Sequence, residues 1–225
     1  MSEIPVVAID GPSGVGKGTV SMRLAETLGW HFMDSGVFYR VLGFAALNES
    51  LPLDDAHALA GRARKLNVRF EHQGGRCRVL LDGEAVSGKL RTEVTGSAAS
   101  QVAALPPVRE ALLALQRSFR APPGLVADGR DMGTVVFPDA PLKLFLDASA
   151  EERARRRFRQ LKEAGENASL TSLLQEIEAR DARDRNRKVA PLRPAEDAVL
   201  IDTTELSVDA VYRRVRTLVE QRLSV

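Results

Sequence analysis

The sequence predicts an α/β fold: a parallel sheet flanked by helices, with a small inserted antiparallel β subdomain and a short helical lid. Apolar, strand-like runs alternate with helical patterns along most of the 225 residues, which is typical of parallel sheets covered by helices. Residues 68–88 interrupt this alternation with runs of period two. A glycine-rich stretch, residues 10–19, directly follows the first apolar run. These observations place a ligand-binding turn at the end of the first strand.

Strands and helices are expected to alternate along the chain. Apolar runs predict strands at residues 6–10, 30–33, 125–128, 142–147 and 199–202. Helical patterns predict helices from about Lys17 and at 37–47, 150–163 and 208–223. In the last helix the apolar residues fall three or four apart and form one face: Val208, Val211, Tyr212, Val215, Leu218, Val219 and Leu223.

The helix at 150–163 begins with a capping sequence and is rich in arginine. Ser149-x-x-Glu152 has the pattern of a capping box, in which the serine and glutamate side chains bond to each other's backbone N–H groups. Residues 153–159 include five arginines. Like charges on one helix repel each other, so a partner anion is expected. The segment is either a solvated helix or a lid whose cations close over phosphates.

Residues 68–88 predict a small antiparallel meander. Two tight turns separate its runs, one at Gly74-Gly75 and one at Asp82-Gly83. No low-complexity linker adjoins this segment, so we expect it to pack as a subdomain.

Composition gives no reason to expect nucleic-acid, membrane or disulfide chemistry. The chain has 32 Lys+Arg against 30 Asp+Glu, a net charge of +2, so any basic patch must be local. The single Cys77 cannot form an internal disulfide. No apolar run approaches the roughly 18 residues of a membrane helix, and residues 1–20 lack the pattern of an export signal. We expect a cytoplasmic monomer that acts on small molecules, without a nucleic-acid or membrane partner.

The stretch DGPSGVGKGT, residues 10–19, is typical of a loop that binds phosphates. Glycines let the backbone approach a ligand, successive N–H groups point inward, and the helix N-terminus adds positive potential. Lys17 is expected to reach the transferred phosphate. The expected phosphate ligands are Gly11, Pro12, Ser13, Gly14, Val15, Gly16, Lys17, Gly18 and Thr19. The alternative is a glycine-rich turn that caps a helix without a ligand.

The residue after the lysine departs from the common pattern. Many phosphate loops place a Mg²⁺-binding hydroxyl directly after the lysine, whereas Gly18 stands there and Thr19 follows. We therefore expect Mg²⁺ to be held mainly by nucleotide phosphates and water, and assign no direct protein ligand. Asp128, at a strand end, either orients the water shell of that ion or caps the following turn.

A phosphate acceptor should be recognised at the carboxyl ends of strands next to the loop. Three segments qualify: residues 33–40, 126–137 and 179–187. In the third, Arg180, Asp184 and Arg187 are spaced to share one helix face, and Asp181 and Arg185 form a second pair. The alternative for this segment is a solvated face with intrahelical ion pairs.

Five blocks resemble the bacterial cytidylate (CMP) kinases, in order and over nearly the whole chain: DGPSGVGKGT, DSGVFYR, ASQVAALPPVREALLALQRSFR, ADGRDMGTVVFPDAPLKLFLDAS and RDARDRNRKVAPL. The GRDMGTVVFP block is the most diagnostic, because a phosphate loop alone indicates only a nucleotide-binding superfamily. The resemblance implies the P-loop nucleoside monophosphate kinase fold. It also implies a core at about 1–36 and 123–225, a lid at about 150–170 and an acceptor-binding insertion at about 37–122.

The resemblance further implies ATP with Mg²⁺ as phosphoryl donor, and CMP, with dCMP, as acceptor. It implies that Arg40 and Arg130 hold the CMP phosphate. The residues that it places around the cytosine are Ser35, Arg109, Asp131 and Arg187. Those that it places at the ribose are Ser100, Arg180 and Asp184. Of the lid arginines, Arg153 and Arg157 would approach the ATP phosphates.

The expected chemistry needs no catalytic histidine. A phosphate monoester has a second pKa of about 6, so the acceptor oxygen is already anionic at pH 7 and needs no general base. The reaction instead needs charge neutralisation between two anions brought into line. The expected catalytic set is Lys17, Arg40, Arg130 and Arg157. Two alternatives stay open: a kinase for UMP or another nucleoside monophosphate, and a non-catalytic nucleotide-binding module.

Overall fold

The computed structural model describes residues 4–73 and 76–223. The chain forms two compact units: the first contains Met1–Met33 and Phe119–Val225, and the second contains Asp34–Ser118. No helix within the described ranges is both long and apolar enough to cross a bilayer.

Strands and helices alternate at the start of the chain, whereas consecutive helices and consecutive strands also occur further along. The strands are β1 (Val6–Asp10), β2 (His31–Asp34), β3 (Val68–Gln73), β4 (Arg76–Leu81), β5 (Glu84–Ala85), β6 (Leu125–Gly129), β7 (Leu142–Asp147) and β8 (Val199–Asp202). The helices are α1 (Lys17–Leu28), α2 (Ser35–Asn48), α3 (Ala56–Ala63), α4 (Glu93–Val102), α5 (Pro106–Arg117), α6 (Ala150–Glu163), α7 (Leu170–Arg185) and α8 (Val208–Leu223). A 3₁₀ turn at Lys89–Arg91 and a π-helical segment at Met132–Val136 complete the order.

The large sheet has the strand order β2-β6-β1-β7-β8, and β1 runs parallel to both of its neighbours. Ile9 of β1 lies opposite Asp128 of β6 and Leu144 of β7. All five residues of β1 are buried, as expected of a central strand covered on both faces. The predicted parallel sheet flanked by helices is confirmed, and its central strand leads directly into the glycine-rich loop.

The core of the first unit forms where α1 and α8 pack beside the sheet. Val20 and Leu24 of α1 and Val215 and Val219 of α8 belong to one buried apolar cluster. The predicted apolar face of α8 is confirmed except at its first residue, because Val208 is 45% exposed.

The second unit contains the small antiparallel sheet, in the order β3-β4-β5. The predicted meander is confirmed for the described residues. Asp82 and Gly83 both have positive φ, 51° and 89°, as a two-residue hairpin turn with the twist of its strands requires. The other predicted turn, Gly74-Gly75, lies outside the described residues.

Helix α2 begins earlier than the pattern predicts, at Ser35 rather than at residue 37. The side chain of Asp34 accepts from the N–H of Gly36 at 2.9 Å, which makes Asp34 the N-cap. The apolar period starts only after this cap, so periodicity alone places the start too late.

Gly43 and Gly61 offer a matched test of packing in the second unit. A Cβ on Gly43 in α2 would stand 3.0 Å from the Ala99 nitrogen and 3.1 Å from the Ala98 Cβ, both in α4. We expect Gly43→Ala to lower the free energy of unfolding by about 1–2 kcal/mol, because neither neighbour can move aside alone. In α3, a Cβ on Gly61 would meet no described atom within 4 Å. Gly61→Ala should therefore raise the free energy of unfolding by roughly 0.5–1 kcal/mol.

Urea denaturation of the two variants measures both effects. Equal changes in the free energy of unfolding would contradict the close packing of α2 on α4.

Candidate functional site

Three glycines shape the phosphate loop, residues 10–19, which runs from the last residue of β1 into the first turn of α1. Gly11 has a φ of +145°, and a Cβ on it would overlap the carbonyl oxygen of Leu146 in β7. Gly14 and Gly16 have φ angles of +81° and +92°, which L side chains rarely adopt. The loop therefore follows a backbone path that requires glycine at these positions.

Lys17 is the first residue of α1 and is only 5% exposed. Its ammonium donates to the carbonyl of Pro12 at 2.7 Å and lies 3.9 Å from Oδ1 of Asp128. The first N–H groups of a helix have no intrahelical acceptors, and Gly16 at the N-cap has no side chain to accept from them. These N–H groups and the lysine together could hold an anion, because helix N-termini favour negative charge.

The described residues contain no group of three or more His, Cys, Asp or Glu side chains that could hold a metal ion. Mg²⁺ usually keeps several waters and binds through one or two carboxylates plus substrate phosphates. Asp128 fits that limited role, because its Oδ2 lies 3.5 Å from where a Cβ on Gly18 would stand. A carboxylate therefore lies beside the position at which other phosphate loops carry their Mg²⁺-binding hydroxyl.

Sequence reasoning misses Asp10, the last residue of β1. Its buried carboxylate accepts from the N–H groups of Met132 and Gly133, each at 2.8 Å. Burial raises the pKa of Asp10 to about 6; the two backbone hydrogen bonds oppose the shift, Asp131 adds to it, and Lys17 opposes it. This carboxylate ties the start of the phosphate loop to the π-helical segment after β6. An aspartate before a glycine gives no sign in the sequence of a partner 122 residues away.

The turn after β6 brings Arg130 into a cluster of charges. Arg130 donates from Nε to Oδ2 of Asp184 at 3.1 Å and from Nη1 to the carbonyl of Gly129 at 3.2 Å. Arg187 also donates to Asp184. Burial would raise the pKa of Asp184, but Arg130, then Arg187 and Arg180, hold that pKa below its usual range. Four of the predicted CMP residues therefore interact in the first unit, and Asp131, which directly follows Arg130, is also buried.

Two expectations for the segment 179–187 are wrong. Helix α7 ends at Arg185, so Arg187 lies beyond the helix rather than on a helix face. Asp181 pairs with Arg153 of α6, at 2.5 Å between Oδ2 and Nη2, rather than with Arg185. Helix spacing describes neighbours within one helix, whereas the partner of Asp181 comes from a different helix.

Arg153 is only 2% exposed, and its guanidinium donates to three other residues. Besides Asp181, it donates to the carbonyl of Ala148 at 3.0 Å and to that of Ser13 at 3.2 Å. A Cβ on Gly14 would stand 3.2 Å from its Cβ. The structure thus places this predicted lid arginine directly against the phosphate loop.

Glu152 supplies negative charge to three other arginines of α6. Its carboxylate lies 3.1 Å from Arg156, 3.2 Å from Arg159 and 4.0 Å from Arg155. The predicted capping box is consequently only half formed: Ser149 Oγ accepts from the Glu152 N–H at 3.2 Å, but the glutamate turns to the arginines. The attraction of three cations outweighs one backbone hydrogen bond.

Four of the predicted CMP residues lie in the second unit: Ser35, Arg40, Ser100 and Arg109. Ser35 begins α2 and is 4% exposed. In the same helix, Arg40 donates from Nη1 to the carbonyl of Leu90 at 2.8 Å. A Cβ on Gly96 would stand 3.3 Å from that Nη1. The missing side chain at Gly96 therefore leaves room for the Arg40 guanidinium.

The other two, Arg109 and Ser100, are also buried. Arg109 donates from Nη1 to the carbonyl of Ala103 at 3.2 Å, and its guanidinium carbon lies 5.5 Å from the centre of the Tyr39 ring. The Ser100 hydroxyl has no hydrogen-bond partner among the described residues. A buried hydroxyl without a partner is costly unless a ligand or water satisfies it.

A central parallel strand that ends in a glycine-rich loop, followed by a lysine at the start of a helix, defines a P-loop nucleotide-binding protein. The chain belongs to the cytidylate kinase family, since the family model described as Cytidylate kinase matches residues 7–221.

Relatives named cytidylate kinase are similar along nearly the whole chain. One from Photobacterium profundum is 57% identical over 219 residues, which cover 97% of this chain and 96% of the relative. One from Klebsiella pneumoniae (strain 342) is 55% identical over 224 residues, which cover 100% of this chain and 99% of the relative. Among solved structures, an uncharacterized protein from Eubacterium ventriosum ATCC 27560 has a TM-score of 0.53 at 12% identity, with 98% of this chain and 100% of that chain covered. This last likeness concerns the fold alone.

The raised pKa of Asp10 predicts a pH-dependent term in stability. The pKa is about 6 in the folded protein against an ordinary 3.8, so this contribution is complete below about pH 4 and is lost as the pH rises through about 6. We expect the free energy of unfolding of the wild type, measured relative to Asp10→Asn, to fall by on the order of 3 kcal/mol over that range.

Asparagine does not titrate, so Asp10→Asn serves as the reference at every pH. Urea denaturation between about pH 4 and pH 7 measures the difference, and a difference that does not change with pH would contradict the burial of an ionisable carboxyl at this position.

Proposed function

We propose that the protein transfers the γ-phosphoryl group of ATP to CMP, giving ADP and CDP, and that dCMP is a second acceptor. Membership of the cytidylate kinase family across residues 7–221 carries this function. The geometry of the phosphate loop supports it, because Gly11, Gly14 and Gly16 give the backbone the path that phosphate binding requires. The reaction belongs to pyrimidine nucleotide metabolism.

ATP binds at the phosphate loop in this proposal. The loop N–H groups bind the phosphate chain, and Lys17 exchanges its contact with the Pro12 carbonyl for the transferred phosphate. Arg157, half-buried on α6, is the lid arginine assigned to the ATP phosphates. Arg153 belongs to the same donor site through Ser13, whose carbonyl it holds.

Mg²⁺ arrives with the nucleotide in this proposal. When bound, it neutralises charge on the phosphates, and Asp128 would hold part of its water shell. The support is the position of the Asp128 carboxylate beside Gly18, together with the preference of Mg²⁺ for phosphates, water and few carboxylates.

Arg40 and Arg130 are assigned to the CMP phosphate, and Arg180, Asp184 and Ser100 to the ribose. Arg130 is already oriented by its hydrogen bond to Asp184, so little side-chain entropy is lost when an anion binds. The buried Ser100 hydroxyl lacks a partner among the described residues, and a ribose hydroxyl would satisfy it.

The cytosine is assigned to Ser35, Arg109, Asp131 and Arg187. Cytosine offers an N4 amino group that donates to a carboxylate, which is the chemistry of Asp131. Uracil turns an O4 acceptor toward the same carboxylate and leaves two acceptors facing each other. Selection of CMP over UMP therefore rests on Asp131.

The reaction is catalysed by charge rather than by proton transfer. The attacking oxygen of CMP is already ionised near neutral pH, so the site has to overcome the repulsion between two anions. Lys17, Arg40, Arg130 and Arg157 supply the cations, and fixed N–H groups of the loop add positive potential at no reorganisation cost. A monomer acting in the cytoplasm completes the proposal.

A coupled ADP-release assay with CMP, dCMP, UMP, AMP and GMP tests this function. We expect CMP and dCMP to be the best acceptors by kcat/KM. Lys17→Ala should stay folded while its kcat falls by about 10²-fold or more, because the lysine acts on charge that develops in the transition state. Equal activity with UMP would favour a broader pyrimidine kinase. ADP binding without turnover would leave only a nucleotide-binding module.

Asp131→Ala should collapse the preference for CMP over UMP. Sites that hydrogen-bond a substrate group can reject an analogue lacking it by about 10⁴-fold, so kcat/KM for CMP should fall far more than kcat/KM for UMP. The KM for ATP serves as the internal control and should stay near the wild-type value. A variant that keeps the wild-type CMP/UMP ratio would place the cytosine contact on another residue.

A further inference from the structure

Three side chains donate hydrogen bonds to backbone carbonyl groups of residues 12–15 in the phosphate loop. Lys17 donates to the carbonyl of Pro12, and Arg153 to that of Ser13. The hydroxyl of Thr203 donates to the carbonyl of Val15 at 3.3 Å. Of these donors, Thr203 is the one for which neither the sequence pattern nor the phosphate-loop chemistry suggests a role.

The direction of a carbonyl decides the direction of the N–H in the same peptide unit. A trans peptide is planar, so its C=O and N–H point in opposite directions. When Thr203 holds the Val15 carbonyl, the N–H of Gly16 must point away from Thr203. In the same way, Arg153 acting on Ser13 orients the N–H of Gly14. Such N–H groups are the ones with which glycine-rich loops bind phosphates.

The Val15–Gly16 peptide needs this restraint because glycine is permissive. Gly16 has a φ of +92°, and glycine populates positive and negative φ about equally readily. Rotation of this peptide unit would turn its carbonyl toward the phosphates, where it would repel them. The hydroxyl of Thr203 stabilises the orientation that presents the N–H instead.

Thr203 is itself held rigidly. It follows β8 and is fully buried, and its N–H donates to the carbonyl of Asp147 at 2.8 Å. Arg156 donates to the Thr203 hydroxyl oxygen at 3.3 Å and to its carbonyl at 2.5 Å. A guanidinium can only donate, so Arg156 cannot accept the proton of the Thr203 hydroxyl. That proton therefore points at the Val15 carbonyl.

We propose that Thr203 is a positioning residue of the donor site, whose hydroxyl orients the Val15–Gly16 peptide so that the Gly16 N–H faces the nucleotide phosphates. Arg156 of α6 fixes the direction in which that hydroxyl donates. The proposal rests on the proposed function only in that the phosphate loop binds ATP and ADP.

Thr203→Val and Thr203→Ser form the matched pair that tests this role. Valine keeps the shape and removes the hydroxyl, whereas serine keeps the hydroxyl. We expect Thr203→Val to raise the Kd for ADP, measured by titration calorimetry, by about three- to tenfold. A change of this size corresponds to the net free energy of one hydrogen bond. The KM for ATP should rise by a similar factor while the KM for CMP stays within about twofold. Thr203→Ser should restore both.

Thr204→Val is the control for loss of a neighbouring threonine hydroxyl. That hydroxyl donates to Asp202 at 2.6 Å rather than to the phosphate loop, so ADP binding should match the wild type. Wild-type ADP affinity in Thr203→Val, or equal losses in Thr203→Val and Thr203→Ser, would overturn the proposal. A wild type that binds ADP but does not phosphorylate CMP would overturn the proposed function alone, and one that does not bind ADP would overturn both.

If Thr203→Val fails to fold, Arg156→Met tests the same role of the Thr203 hydroxyl. Arg156 is half-buried and donates to that hydroxyl. Arg156→Met should weaken ADP binding by about twofold or more, since the hydroxyl is no longer directed at Val15. Arg159→Met removes an equal charge that also pairs with Glu152 and is the control for simple electrostatics. Equal effects of the two variants would overturn the role of Thr203.

Discussion

The buried carboxylate of Asp10 is the interaction on which the donor side of the site depends. It is the last residue of the central strand, and it accepts from the N–H groups of Met132 and Gly133 at 2.8 Å each. Asp10 is also the first residue of the phosphate loop, and the turn with Arg130 ends just before Met132. Two loops from distant parts of the chain are thus fixed to one strand end. Burial opposes the ionised form of this group, as its raised pKa indicates.

Paired charges hold two arginines of the first unit in place. Arg130 lies against Asp184, and Arg153 against Asp181. Removal of one member of a buried pair costs much more than the pair itself contributes, because the remaining charge has no partner. Such pairs are therefore weak evidence of added stability, although breaking one is costly. In this protein they fix guanidinium groups beside the phosphate loop and beside the turn after β6.

The phosphate loop illustrates how a site is built from more than its motif. Glycines at positions 11, 14 and 16 permit the required path, but permissive residues also allow other paths. Arg153 of α6 and Thr203 after β8 select one of them by holding the carbonyls of Ser13 and Val15. Both side chains lie far from the loop in sequence.

Local signals in the sequence were enough to predict most elements of the fold. β1, β7, β8, α6 and α8 have the predicted bounds, because apolar period and turn chemistry involve residues only a few positions apart. Helix α2 was placed too late, since its start depends on a cap at Asp34 rather than on periodicity. The half-formed capping box at Ser149 shows the same limit: Glu152 had competing partners one and two turns further along α6.

The sequence by itself determined the class of site and its anion chemistry, because the order of glycines, lysine and arginines within short blocks is a local property. The tertiary structure alone decided which charges meet. Asp181 took Arg153 rather than Arg185, Arg130 reached Asp184 from 54 positions away in the chain, and Asp10 and Thr203 joined the site without any signal in the sequence. The reason is physical: a hydrogen bond or ion pair depends on distance and direction to within a few tenths of an ångström, and for partners far apart in the chain only the packed fold sets these.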